Sequence, residues 1–213
     1  MNLKYLNAGL VITLAYFIYL MLLITLQYVP MDDNSAFLRI KQDEITLPHY
    51  RIAFYTHVYS AMFALIPGFI QFSVTIRTRF PTIHRMLGKF YVLVVLCLAG
   101  PSGLVMACYA NGGTASQLAF CILSLLWIYF TYTAYTKARQ GQYTAHKYFM
   151  YRSYALTLSA ISLRLFKWII TNLFHPAPMD TYILVAWLGW TVNLLVAEIL
   201  IAKLKARSNR AIT

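Results

Sequence analysis

Six apolar runs dominate this chain, at about 7–28, 51–75, 87–109, 116–136, 149–172 and 181–202, with little sequence left between them. Each is near the roughly 20 residues a helix needs to cross a hydrocarbon layer about 30 Å thick. Only 11% of the 213 residues are charged, against about 25% in a soluble domain. The expected fold is therefore all-α, a polytopic membrane protein with six transmembrane helices in one domain, residues 1–213. Any binding or catalysis has to sit inside the bundle or on its short loops.

The net charge of +12 alone could suggest a nucleic-acid partner, but the placement of the charges argues otherwise. Lys4, Arg77, Arg79, Arg85, Lys89, Lys137, Arg139, Lys147, Arg152, Lys203, Lys205, Arg207 and Arg210 fall on one side of a six-helix topology. The opposite loops carry Arg39, Lys41 and Arg51 against Asp32, Asp33, Asp43 and Glu44. This asymmetry predicts a multi-pass cell-membrane protein with both termini cytoplasmic. The basic residues then face anionic lipid headgroups, and nucleic acid is excluded as the reason for them. The first run follows a lysine as a signal peptide would, but it is long and no small-x-small cleavage site follows, so it is expected to remain as helix one. Cys97, Cys108 and Cys121 have no metal-ligand spacing and read as small packing residues.

Polar residues inside the apolar runs are the informative ones. At about 100° per residue, His146, Ser153, Thr157, Ala160 and Arg164 lie within about 40° of one line along helix five. Helix two carries His57, Ala61, Ala64, Gly68, Gln71 and Thr75 on one face, and helix three carries His84, Gly88, Tyr91, Val95 and Ser102. Gln117, Ser124, Thr131 and Tyr135 align on helix four. An arginine facing lipid at depth costs at least about 2.5 kcal/mol, so such stripes are expected to face inward. Helices two to five, about residues 50–172, are thus expected to form a four-helix core, flanked by helices 7–28 and 181–202. Pro67-Gly68 and Gly100-Pro101 interrupt helices two and three, which points to a cavity between them. The segment from Val29 to Tyr50 is long enough to form an ordered lid over the outer mouth, the alternative being a solvated connector.

His84 and His146 open two helices that run in the same direction, which places both at the basic end and facing the bundle. Two imidazoles at one level are the arrangement that ligates a b-type haem, with Arg85, Lys89, Lys147 and Arg152 near the propionates. A transition metal with Gln71 or Tyr91 nearby is a second option, although two histidines alone make a poor metal site. The alternative is that both histidines only bond to helix ends. Nearer the other face, His57 and Arg164 share a level. Since two cations repel, the pair implies a neutral histidine or an anion between them: a propionate, a quinone oxygen, or Asp43 or Glu44. Otherwise Arg164 snorkels outward with Lys167. Glu198 is expected to pair with a Lys or Arg at the helix mouths. No GxSxG, HExxH, P-loop, dinucleotide or CxxC motif is present.

The segments HVYSAMFALIPGFIQF, IHRMLGKFYV and HKYFMYRSYALTLSAISLRL, within about residues 50–170, resemble the family of membrane proteins catalogued as domain of unknown function 2306. The motif positions are His57, His84, Arg85, Gly88, Tyr91, His146, Arg152, Ser153 and Arg164. The resemblance implies a multi-helix membrane protein and no particular activity. A more distant likeness is to cytochrome b561-type haem bundles, from which this chain departs in having too few histidines for two pairs.

The leading expectation is an intrabundle cofactor site for electron transfer. It would hold haem b through His84 and His146, with Arg85, Lys89, Tyr91 and Arg152 around it and a quinone or other redox partner. The alternatives are a transporter or receptor with its site between helices two and three, and a non-catalytic membrane assembly protein.

Overall fold

A computed structural model describes residues 3–210. The architecture is all-α. Helix α1 spans Leu3–Leu26, and a lid follows, made of a 3-10 turn at Ala36–Ile40 and the short α2 at Gln42–Ile45. Then come α3 (Pro48–Ile70), α4 (Val74–Arg79) and α5 (Pro81–Leu93). A π-helical stretch at Val94–Ala99 joins α5 to α6 (Gly100–Ala107). The rest is α7 (Gly113–Arg139), α8 (Tyr143–Thr157), α9 (Ser159–Phe174) and α10 (Pro178–Arg210).

Four of these stretches are long and apolar enough to cross a membrane: Pro48–Ile70, Pro81–Ala107, Gly113–Arg139 and Pro178–Arg207. In the first expected span, only the shorter stretch Val11–Leu26 is comparably apolar. The fifth is not one helix. It breaks at Leu158 into α8 and α9, with the Ser159 hydroxyl bonded to the Leu156 carbonyl at 2.5 Å.

The third span is continuous but wide in its middle. Pro101 has no N–H to give to the carbonyl four residues earlier, and a π-helical turn is one way a helix absorbs that loss. The Gly100 N–H reaches back to the Val95 carbonyl, and the Ser102 hydroxyl donates to the Leu98 carbonyl at 2.5 Å.

Helices α3 and α7 each pack against both the α5–α6 span and α8. That places α5 and α8 on a diagonal across the bundle. Helix α10 is more than a flank, since it packs along α7, α8 and α9. Its Asn193 Nδ2 donates to the Ala155 carbonyl at 3.1 Å, and Ser162 donates to Asn193 Oδ1 at 2.9 Å. Cys97 and Cys108 lie on the exterior instead of in the packing, and Cys121 is half-buried.

The lid is ordered. Lys41 is only 2% exposed, and its ammonium donates to Glu44 Oε1 at 2.6 Å and to the Tyr109 carbonyl at 2.5 Å. Asp33 accepts from Tyr55 at 2.9 Å and pairs with Arg51 at 3.1 Å. Beneath these, Tyr28, Leu38, Ile45, Tyr50 and Phe54 form an apolar cluster that seats the lid on α3.

Candidate functional site

The inward stripe of α8 meets Tyr91 of α5 at the middle of the bundle, where Tyr91 is fully buried. Around it the hydrogen bonds form a closed ring. The Trp127 indole N–H donates to Thr157 Oγ1 at 3.1 Å, and the Thr157 hydroxyl donates to Tyr91 Oη at 2.7 Å. Tyr91 donates to Ser153 Oγ at 2.7 Å, Ser153 to Thr131 Oγ1 at 2.7 Å, and Thr131 back to the Trp127 carbonyl at 2.7 Å. The Thr157 hydroxyl also has the Ser153 carbonyl within reach at 3.1 Å, and the Trp127 indole N–H has Tyr91 Oη at 3.5 Å. A ring of this kind ties α5, α7 and α8 together, and it offers no free hydrogen to a ligand.

One aromatic seat completes the packing. Tyr154 lies over Gly68, where a Cβ would come within 2.5 Å of its ring and 3.0 Å of Tyr91. Its hydroxyl donates to the Leu65 carbonyl at 3.1 Å. Gly68 belongs to the small stripe expected on helix two, and its partner Tyr154, off the stripe expected on helix five, was not among the expected site residues. Nor was Trp127, although Trp127 precedes Thr131 by one helical turn and shares its face.

Toward the basic end the pattern changes. The His146 Nδ1–H donates to the Ala134 carbonyl of α7 at 2.8 Å. A carbonyl only accepts, so this bond sets the tautomer and leaves Nε2 with a free lone pair. His84, one turn before Gly88 on α5, has a buried Nδ1 with no partner. His84 lies in the first turn of α5 and His146 in the first turn of α8. The Gln71 Nε2 donates to the His84 carbonyl at 3.1 Å and so holds the start of α5 against the end of α3. The side chain of Gln71 also lies over Gly88, where a Cβ would be 3.2 Å from Oε1.

The basic residues expected near this pair divide. Arg152 is taken up by Glu198 of α10, through Nε to Oε1 at 2.5 Å and Nη2 to Oε2 at 2.8 Å, and it stacks on Phe149. That is the partner expected for Glu198. Arg85 and Lys89 are exposed on α5. Tyr91, expected beside a cofactor, lies in the closed ring.

His57 repeats the device seen at His146. Its Nδ1–H donates to the Ala99 carbonyl of the π-helical stretch at 2.9 Å, leaving Nε2 free. Gly103 gives the ring its room, since a Cβ there would be 2.9 Å from His57 Cε1. Arg164, expected to face inward, is exposed, and its Nη1 donates to the Ala160 carbonyl at 2.8 Å. The guanidinium therefore folds back one turn along α9 and does not reach past Lys167.

Among the described residues no group of three or more His, Cys, Asp or Glu could hold a bare metal ion. Two recesses stand out in the structure, and neither is lined by His84 or His146. One lies between α3 and the third span, and the other lies beside the lid at Asp33, Pro48 and Arg51.

Residues 54–201 match the family model described as predicted membrane protein (DUF2306). No curated protein and no solved structure matches the chain.

Proposed function

We propose that this chain, which belongs to the DUF2306 family of membrane proteins, would hold a b-type haem through His84 and His146. The observation that carries this is the state of the two rings. His146 is oriented by a carbonyl with its Nε2 lone pair free, and His84 keeps a buried nitrogen without a partner. Ligating histidines commonly donate their other N–H to a carbonyl in this way.

The donor set also favours haem over a bare ion. The macrocycle supplies four equatorial nitrogens, so two imidazoles suffice, whereas an isolated metal ion needs further protein ligands. Bound there, the haem would supply one-electron chemistry. Ala134 fixes the His146 ring, Gln71 holds the start of α5, and Arg85 and Lys89 offer charge to the propionates. Arg152, paired with Glu198, is assigned to helix packing in this reading. With the basic end on the cytoplasmic side, as the charge asymmetry suggests, electrons would enter or leave there through a quinone or a protein redox partner.

The test is an absorbance spectrum of protein purified from haem-replete cells, and again after titration with haemin. A Soret band that His84→Ala and His146→Ala each remove, with folded yield kept, is expected. A wild-type protein with no Soret band under either condition would defeat the proposal.

A second reading, a transport or receptor site between helices two and three, is favoured by one observation: a recess lies between those helices.

A further inference from the structure

Two of the three cysteines meet where α6 turns into α7. The register of this antiparallel pair follows from its glycines. A Cβ on Gly100 would lie 2.7 Å from Ile128 Cγ1, and one on Gly103 would lie 3.5 Å from Ser124 Oγ. Continued one turn toward the connection, the same register sets Cys121 level with Ala107, and Cys108 follows Ala107 at a rise of about 1.5 Å. Cys121, Ser124 and Ile128 stand at i, i+3 and i+7, so Cys121 is on the face of α7 turned to α6. Small residues at Gly100, Gly103 and Ala107 let the two helices close up, and the Cys121 thiol is in side-chain contact with Cys108. The Cys108 thiol donates to the Leu104 carbonyl at 3.5 Å, which leaves its sulfur to accept from Cys121. A disulfide needs its two Cα atoms within about 7 Å, a separation that thiols in contact across two packed helices meet.

The two thiols differ in access. Cys108 is exposed and lies just beyond the Pro81–Ala107 span, whereas Cys121 is half-buried within α7. Helix α7 ends in Lys137 and Arg139, so the α6–α7 connection is at the end of the bundle opposite the basic one. With the basic end cytoplasmic, the pair lies toward the other side of the membrane, where disulfides form and persist. Tyr109, the residue after Cys108, is what the lid holds on to. Lys41 donates to its carbonyl at 2.5 Å, its hydroxyl is 2.6 Å from His49 Nε2, and its ring meets Tyr50 edge-on at 5.3 Å. Whatever fixes Cys108 against α7 also fixes this anchor.

We propose that Cys108 and Cys121 form a reversible disulfide by exchange with an external disulfide compound, and that the bond steadies the turn that anchors the lid. The Cys108 thiolate attacks one sulfur of the external disulfide, and the first thiol leaves with the electron pair of the broken bond. The Cys121 thiolate then attacks the Cys108 sulfur of the mixed disulfide and releases the second thiol. The two protein thiols lose two electrons and two protons in all, and the two released thiols carry them. The site shares no residue with the His84–His146 pair, so it stands or falls apart from the haem proposal.

The experiment treats the full-length protein in phosphatidylcholine nanodiscs with oxidised glutathione, blocks the remaining thiols with N-ethylmaleimide, and maps unreduced peptides by mass spectrometry. Expected are a linked Cys108–Cys121 peptide, N-ethylmaleimide on Cys97, and return of both linked thiols after dithiothreitol. Hydrogen exchange at the amides of Leu38–Leu47 is expected to slow at least about threefold on oxidation of the wild type, and to stay unchanged in Cys108→Ser and in Cys121→Ser. Cys108 is exposed, so Cys108→Ser remains informative if Cys121→Ser lowers folded yield. Glutathione left on Cys108 without a link, a link through Cys97, thiols that all remain free, or lid exchange equal in the two redox states would each overturn the proposal.

Discussion

The ring around Tyr91 and the histidines at the basic end draw on the same three helices, α5, α7 and α8, and treat polar atoms in opposite ways. In the ring every donor has an acceptor, and the last acceptor is the carbonyl of the residue that supplied the first donor. At the histidines a carbonyl takes one proton of His146 and leaves its other nitrogen open, while His84 keeps an unpaired Nδ1. Polar groups inside a membrane bundle are costly wherever they sit. A closed set lowers that cost through structure, and an open set lowers it only when something else binds.

The two regions should therefore fail differently. His146→Ala is expected to abolish the Soret band completely and to shift the thermal unfolding midpoint little. Tyr91→Phe removes the hydroxyl that joins Thr157 to Ser153, leaving Ser153 Oγ without its donor while Thr157 keeps the Ser153 carbonyl, and is expected to cost about 1 kcal/mol of stability while the spectrum persists. Differential scanning fluorimetry and absorbance on the same two samples check this. If both variants lose both properties together, the distinction between the regions is wrong.

Gly68→Ala probes the ring from its apolar side. The added Cβ would meet the Tyr154 ring at 2.5 Å and Tyr91 at 3.0 Å, so one of them has to move. Overpacking of this kind costs about 1–3 kcal/mol. The expected result is a lowered unfolding midpoint that Tyr154→Leu partly restores. Gly103→Ala should act on His57 instead, through the 2.9 Å approach to its ring. It should disturb the hydrogen bond to Ala99, read as a shift of the His57 imidazole resonances, with little loss of stability.

Periodicity was enough to find Ser153, Thr157, Tyr91 and Thr131, because an inward polar stripe on a helix is a one-dimensional pattern. It was not enough to show that these four share a single hydrogen-bonded ring with Trp127, since pairing between helices depends on their depth and rotation relative to one another. The break at Leu158 carries no proline or glycine and left no signal in an apolar run. The family resemblance, by contrast, was legible from motifs alone, and residues 54–201 match.

The lid supplies the smallest expected effect and a third way of handling a buried polar group. Lys41 is 2% exposed, and Glu44 and the Tyr109 carbonyl accept from its ammonium. Burial, the largest single cause, would raise the Glu44 carboxyl, but the bond to Lys41, a backbone hydrogen bond and the Lys41 charge together hold it below the usual carboxylate range. A carboxylate whose pKa is lowered in the folded state adds stability that is present in full above its ordinary value, about 4.3. That stability is lost as the pH falls through the lowered value. The ring around Tyr91 contains only hydroxyl and indole donors, none of which titrates in acid. Backbone amides of Leu38–Leu47 should thus lose protection from hydrogen exchange as the pH falls through the acid range, after correction for intrinsic rates, while amides around Ser153 keep theirs. Glu44→Gln should lower lid protection at neutral pH and make it independent of acid. A lid that opens equally in wild type and Glu44→Gln on acidification would assign the pH response to another group, with Asp33, paired to Arg51 and Tyr55, the next to replace.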